Sequence, residues 1–135
     1  NFMIFTDSHR LSQVLSSLLY NAIKFTSKGI IEFGYILRDD NKLQFYVKDS
    51  GKGILGEKAK SIFNKFEKGE DEFGKTEAGV GLGLALAKGI VDLLGGDIWV
   101  ESNIFKGSTF NFTIDYLEQN EEIKEKSLSF QTIFV

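Results

Sequence analysis

Most apolar residues of this chain fall into two helical stripes and a few alternating runs. Leu11, Val14, Leu15, Leu18, Leu19, Ala22 and Ile23 recur at three- and four-residue spacing, which predicts an amphipathic helix to about Phe25. Thr6 and Asp7 offer N-caps ahead of it, and Ser27-Lys28-Gly29 stops it. A second helix should carry Leu84, Ala87, Ile90, Val91 and Leu94, opened by Gly79-Val80-Gly81-Leu82-Gly83 and closed by Gly95-Gly96. Ile31 to Tyr35 alternates, as does Leu43 to Asp49, and Asp39-Asp40-Asn41 between them predicts a hairpin. Ile98 and Val100 face away from Trp99, and Phe110, Phe112 and Ile114 alternate after the Gly107-Ser108-Thr109 turn. Phe2 to Phe5 reads as an edge strand, and Glu57 to Phe66 as a short helix. These elements predict an α/β (α+β) two-layer sandwich, a mixed sheet of about five strands with helices packed on one face. The pattern ends near Glu118. We therefore expect a domain over 1–118 and a charged tail over 119–135, whose last stretch, Phe130 to Val135, either pairs elsewhere as a strand or is overhang.

Composition narrows the function more than the fold. The 135 residues suit one domain with a real core, and 42% hydrophobic with 26% charged residues is a soluble globular balance. A net charge of −3 leaves no basic footprint for nucleic acid. With no cysteine there is no disulfide, thiolate metal site or cysteine nucleophile. No apolar run approaches the ~20 residues that span a bilayer, so membrane contact by this chain is not expected.

Candidate chemistry gathers at polar and glycine-rich interruptions of the apolar pattern. Leu43, Phe45, Val47 and Asp49 share one strand face, so a carboxylate ends an apolar row just before the Gly51-Lys52-Gly53 turn. A buried carboxylate needs hydrogen-bond donors from the protein or from a ligand. Asp49 is thus either structural or a recognition group for an exocyclic amine such as that of adenine. Arg10, Ser17, Asn21 and Lys24 form a polar stripe beside the apolar face of the first helix. It could meet a metal and phosphates, or simply border the solvent. The Gly79 to Gly83 run ahead of a helix is a phosphate-site candidate, since glycines let backbone N–H groups approach an anion. It is not a Walker loop, because no Gly-Lys-Ser/Thr follows. The charged stretch from Glu67 to Ala78 reads as a lid.

In combination these motifs resemble the catalytic, ATP-binding domain of sensor histidine kinases, within the superfamily shared with gyrase, heat-shock chaperone and mismatch-repair ATPases. Asp7 to Thr26, ending Asn21-Ala22-Ile23-Lys24-Phe25-Thr26, resembles the asparagine box, and Asp49-x-Gly51-x-Gly53-Ile54 the first glycine box. Ile62-Phe63-Asn64-Lys65-Phe66 resembles the phenylalanine box, Gly79-x-Gly81-Leu82-Gly83-Leu84 the second glycine box, and Gly107-Ser108-Thr109-Phe110 the last. The match runs from about residue 4 to 115 with every box in order.

The resemblance implies Mg²⁺ on Asn21, bridging the phosphates of ATP, with Lys24 and Lys65 on those phosphates as catalytic contacts. It implies that Asp49 accepts from the adenine amino group, with a water and Thr109 completing the recognition. Gly51, Gly53 and Ile54 would lie against the base, and Gly79, Val80, Gly81, Leu82, Gly83 and Leu84 against the phosphates and the lid hinge. The implied fold is that superfamily's ATP-binding sandwich. The implied activity is transfer of the γ-phosphoryl to a histidine on a dimerisation domain outside this chain, with a response regulator downstream, by a monomeric domain in the cytoplasm. Ser17 stands where kinases usually carry asparagine and the hydrolytic relatives a glutamate base, which disfavours the ATPase branch. Two alternatives stay open: a degenerate nucleotide-binding interaction module, and a serine kinase of the anti-sigma type. His9, the sole histidine, lacks an acceptor's sequence context and reads as a surface residue near the helix start.

Overall fold

The structure, a computed structural model, describes residues 4–5, 7–64, 78–118 and 128–134, with side chains for 7–64 and 83–116. Helix α1 (Ser8–Phe25) begins at Asp7, whose carboxylate accepts from the N–H groups of His9 and Arg10, both at 3.1 Å. Of the two N-caps offered, aspartate satisfies two of the helix's orphan donors. Arg10 Nε turns back to Asp7 Oδ2 at 3.2 Å, which removes it from the polar stripe. Strand β2 (Ile30–Leu37) and strand β3 (Lys42–Asp49) form the expected hairpin, with Asn41 at φ 59 in the turn. A short α2 (Gly56–Ser61) and the long α3 (Ala78–Leu93) follow. Strands β4 (Ile98–Asn103) and β5 (Gly107–Asp115) then make a second hairpin.

Helices α1 and α3 pack side by side on one face of the sheet, as expected. Val14, Leu18 and Ala22 of α1 and Leu84, Ala87, Ile90 and Val91 of α3 meet Ile31, Val47, Phe110 and Phe112 of the sheet. Ile23 stands outside this core, 52% exposed, so the buried stripe of α1 is narrower than its apolar spacing implied.

The sheet differs from expectation in two ways. It has five strands in the order β4-β5-β3-β2-β7, where β7 is Leu128–Phe134, but it is antiparallel throughout rather than mixed. Strands β3 and β4 run the same way and are joined through the helices, yet β5 inserts between them and pairs with both, so the parallel neighbours never meet. The fifth strand is also not the N-terminal one. A two-residue β1 (Ile4–Phe5) pairs instead with β6 (Leu117–Glu118), and the last stretch of the tail forms β7 (Leu128–Phe134) along the edge of β2.

Candidate functional site

Asp49 ends β3 between Ile31 and Ser108 of its neighbour strands, and it is 5% exposed. The chain leaves the strand through Ser50, which is locked to β2. Ile30 N–H donates to Ser50 Oγ at 2.9 Å, and Ser50 N–H donates to the Ile30 carbonyl at 3.1 Å. Gly51 N–H then turns back to Asp49 Oδ1 at 2.9 Å. A side chain at 51 would lie 2.5 Å from the Phe25 carbonyl, so only glycine fits this return. Burial pushes the Asp49 carboxyl above the usual carboxylate range, while the N–H groups of Gly51 and Ser108 pull it back.

That carboxylate faces a cavity of about 520 Å³ whose apolar lining includes Phe25, Ile54, Ile62 and Phe110. Phe63 supports the wall, its ring edge-on to Phe110 with centroids 6.0 Å apart. Lys52, whose ammonium lies 5.3 Å over the Phe25 ring, and Lys58 bring positive charge to the lining. An apolar slot with one buried carboxylate suits a flat aromatic ligand carrying a hydrogen-bond donor.

Ser102 of β4 ties the slot together. Its Oγ accepts from Ile54 N–H at 2.7 Å, donates to the Gly107 carbonyl at 3.1 Å, and lies 2.8 Å from Ser108 Oγ. Ser102 has one hydroxyl hydrogen, so with that given to Gly107, Ser108 donates in the remaining pair. Replacing Ser102 by alanine strips Ile54 N–H of its partner. A loss of about 1–3 kcal/mol is expected in urea unfolding, the cost of an unsatisfied buried donor; a change within about 0.5 kcal/mol, the scale of an ordinary surface substitution, would show that water replaces the hydroxyl.

A second hollow, between α1 and α3, is lined by Ser17, Asn21 and Gly83 among others. Asn21 is 1% exposed and its Nδ2 has no hydrogen-bond partner. A buried amide N–H group without a partner, lining a cavity, is a donor placed for a ligand's oxygen.

Comparison with known proteins identifies the family. Residues 6–118 match the family model described as "Histidine kinase-, DNA gyrase B-, and HSP90-like ATPase". The chain belongs to that family. Its similarity runs to the kinase branch. The sensor histidine kinase WalK of Bacillus subtilis (strain 168) is 35% identical over 118 residues, a match covering 86% of this chain and 19% of that protein. The chain thus spans about a fifth of that curated relative. Full-length ShkA, solved in complex with AMPPNP, superposes with a TM-score of 0.76 at 28% identity, over 87% of this chain and 24% of that one. The nucleotide-free catalytic domain of the histidine kinase ThkA gives 0.67 at 32% identity, over 81% of this chain and 69% of that one.

The family's boxes are brought together unevenly. Asp49, Gly53 and Ile54 line the main cavity. Gly51 and Lys24 line a smaller adjoining hollow with Lys28, Ser50 and Lys52. Asn21 and Gly83 meet at the hollow between the helices. The glycine run does not precede its helix as a loop, since Gly79, Val80, Gly81, Leu82 and Gly83 lie within the first turns of α3. Leu84 is fully buried and packs in the core. Lys65 and most of the lid lie outside the described residues.

Thr109 is also displaced from its expected role. It sits opposite the exposed Lys48 and Glu101 on the other face of β5, and the cavity is lined by Ser108. The period-two alternation of Phe110 and Phe112 already placed Ser108 on the inner face, and that was the signal to follow.

Proposed function

We propose that this chain is the Mg·ATP-binding catalytic domain of a sensor histidine kinase, which passes the γ-phosphoryl to a histidine on a dimerisation domain outside residues 1–135. The observation that carries this reading is Asp49, a buried carboxylate at a largely apolar cavity, a group that would accept from the exocyclic amine of adenine. The name of WalK and the AMPPNP complex of ShkA support the same reading. No group of three acidic, histidine or cysteine side chains capable of holding a metal occurs among the described residues. Mg²⁺ takes oxygen ligands and is completed by substrate phosphates and water. Asn21 is the residue that would hold it, and the ion would neutralise phosphate charge during transfer. The chain's own contribution is positioning. Asp49 fixes the base, the Gly51 turn lets it approach, and Lys24, Lys65 and the α3 glycines attend the phosphates.

A response regulator would receive the phosphoryl downstream, and the domain would work in the cytoplasm as a monomer. No helix among the described residues is long and apolar enough to cross a membrane. A second reading, a docking module that binds nucleotide without transfer, is favoured by Ser17, which occupies the hollow beside Asn21.

Titration calorimetry with ADP, ATP and GTP, with and without Mg²⁺, tests the proposal. Adenine nucleotides should bind and GTP should not. Asn21→Ala should weaken Mg·ATP by roughly tenfold, the scale of one lost hydrogen bond to a charged group, while ADP without Mg²⁺ changes little. Absence of heat with every adenine nucleotide would end the reading. Binding without transfer of label to an acceptor-helix protein would favour the docking module instead.

A further inference from the structure

The rim of the main cavity holds a residue in a conformation its side chain disfavours. Two non-glycine residues among those described have positive φ, Asn41 at 59 and Phe105 at 67. Asparagine tolerates the left-handed region, whereas a bulky aromatic there is an outlier that the surroundings must enforce. The enforcement is visible. Phe105 N–H donates to the Lys52 carbonyl at 2.8 Å, and Lys106 N–H closes the turn on the Asn103 carbonyl at 3.0 Å. Gly53, at φ 77, packs so tightly under this turn that a side chain there would lie 2.2 Å from the Asn103 carbonyl. The tip of the β4–β5 hairpin is therefore fastened to the Asp49–Gly53 turn at the backbone.

Nothing comparable holds the ring. Phe105 is 87% exposed although it lines the cavity, and it shares the rim with Leu55 at 57% and Ile104 at 39%. An exposed aromatic in an unfavourable backbone conformation adds nothing to the empty fold that glycine would not provide better. It gains cover only when something flat and apolar fills the slot beside it.

We propose that Phe105 is a binding contact for the nucleotide base. Its ring closes over the purine held by Asp49, with Leu55 and Ile104 completing an apolar rim. The inference rests on the adenine reading of the cavity and adds to it a residue from the hairpin tip. Base–aromatic contact is not tied to the phosphates, so its contribution should be the same for ADP and ATP.

The test pairs Phe105→Gly with Phe105→Tyr, measured by calorimetry with ADP and ATP and by thermal melting of the empty domain. Phe105→Gly should raise Kd for both nucleotides by about tenfold, within the range of a lost base–aromatic contact. It should also melt at or above wild type, because glycine adopts a positive φ freely. Phe105→Tyr keeps the ring and should bind within about twofold of wild type, as only an edge hydroxyl is added. Unchanged affinity in Phe105→Gly, or a loss in Phe105→Tyr equal to that in Phe105→Gly, overturns the proposal. So does a lower melting point for Phe105→Gly, which would show that the ring supports the empty fold. A wild-type chain that takes up neither nucleotide would instead sink the site assignment, and this inference with it.

Discussion

Asp49→Asn is expected to weaken ADP and ATP binding by about tenfold or more, the scale of a hydrogen bond to a charged group. The carboxylate is the one acidic group lining a largely apolar slot, and its amide replacement turns a donor toward the donor of adenine. Stability should move the other way. Burial raises the Asp49 pKa in the folded domain. A raised folded value means that Asp49 contributes stability below its unfolded pKa, and that this contribution disappears as pH rises through the folded pKa. At neutral pH the empty domain therefore carries an ionised carboxylate at a cost, and Asp49→Asn should melt at or above wild type. That advantage should shrink on acidification, as wild type protonates to a neutral group of the same shape. Nucleotide affinity of wild type should fall over the same acidic window while that of Asp49→Asn stays flat. If Asp49→Asn unfolds while affinity barely moves, the carboxylate is a structural group and the adenine assignment fails.

Gly107→Ala should be the most damaging single methyl group near the site. Gly107 has φ +100, and a Cβ there would lie 2.0 Å from the Asp49 carbonyl. The backbone conformation disfavours alanine, and the contact is with main chain that cannot rotate away. Strain and overpacking together should cost about 3 kcal/mol, lowering the melting point by on the order of 10 °C. Relief requires β3 and β5 to part at the Asp49–Ser108 pair, so nucleotide affinity should fall as well. Gly89→Ala is the matched control. It lies within α3 with nothing within 4 Å of the added carbon, so it should stabilise by about 0.5–1 kcal/mol. Equal melting points for the two variants would show that the β3–β5 end is looser than its geometry.

Comparison of α3 with β5 shows how far linear pattern reaches. The three- and four-residue spacing of Leu84, Ala87, Ile90 and Val91 predicted both the helix and its buried face, because helical period and burial are local consequences of one repeat. The glycine-box resemblance implies a ligand contact at Leu84, whereas the structure places it in the core at 0% exposure. On β5 the alternation of Phe110 and Phe112 held enough information to choose Ser108 over Thr109. The glycine-box resemblance points to Thr109 instead, because a motif aligned by residue type carries no information about strand face.

By itself, the sequence determined the two long helices, both hairpins, the carboxylate at the inner end of β3 and the order of the boxes. Each of these is written in short-range periodicity or turn chemistry. Only the tertiary structure decided that β5 lies between β3 and β4, that the tail supplies the edge strand beside β2, and that Ser102 joins Ile54 to Gly107. It alone set the exposed ring of Phe105 at the mouth of the cavity. The reason is physical. A strand's pattern records which of its faces is buried, but its partners are chosen by backbone hydrogen bonds, which carry no residue label.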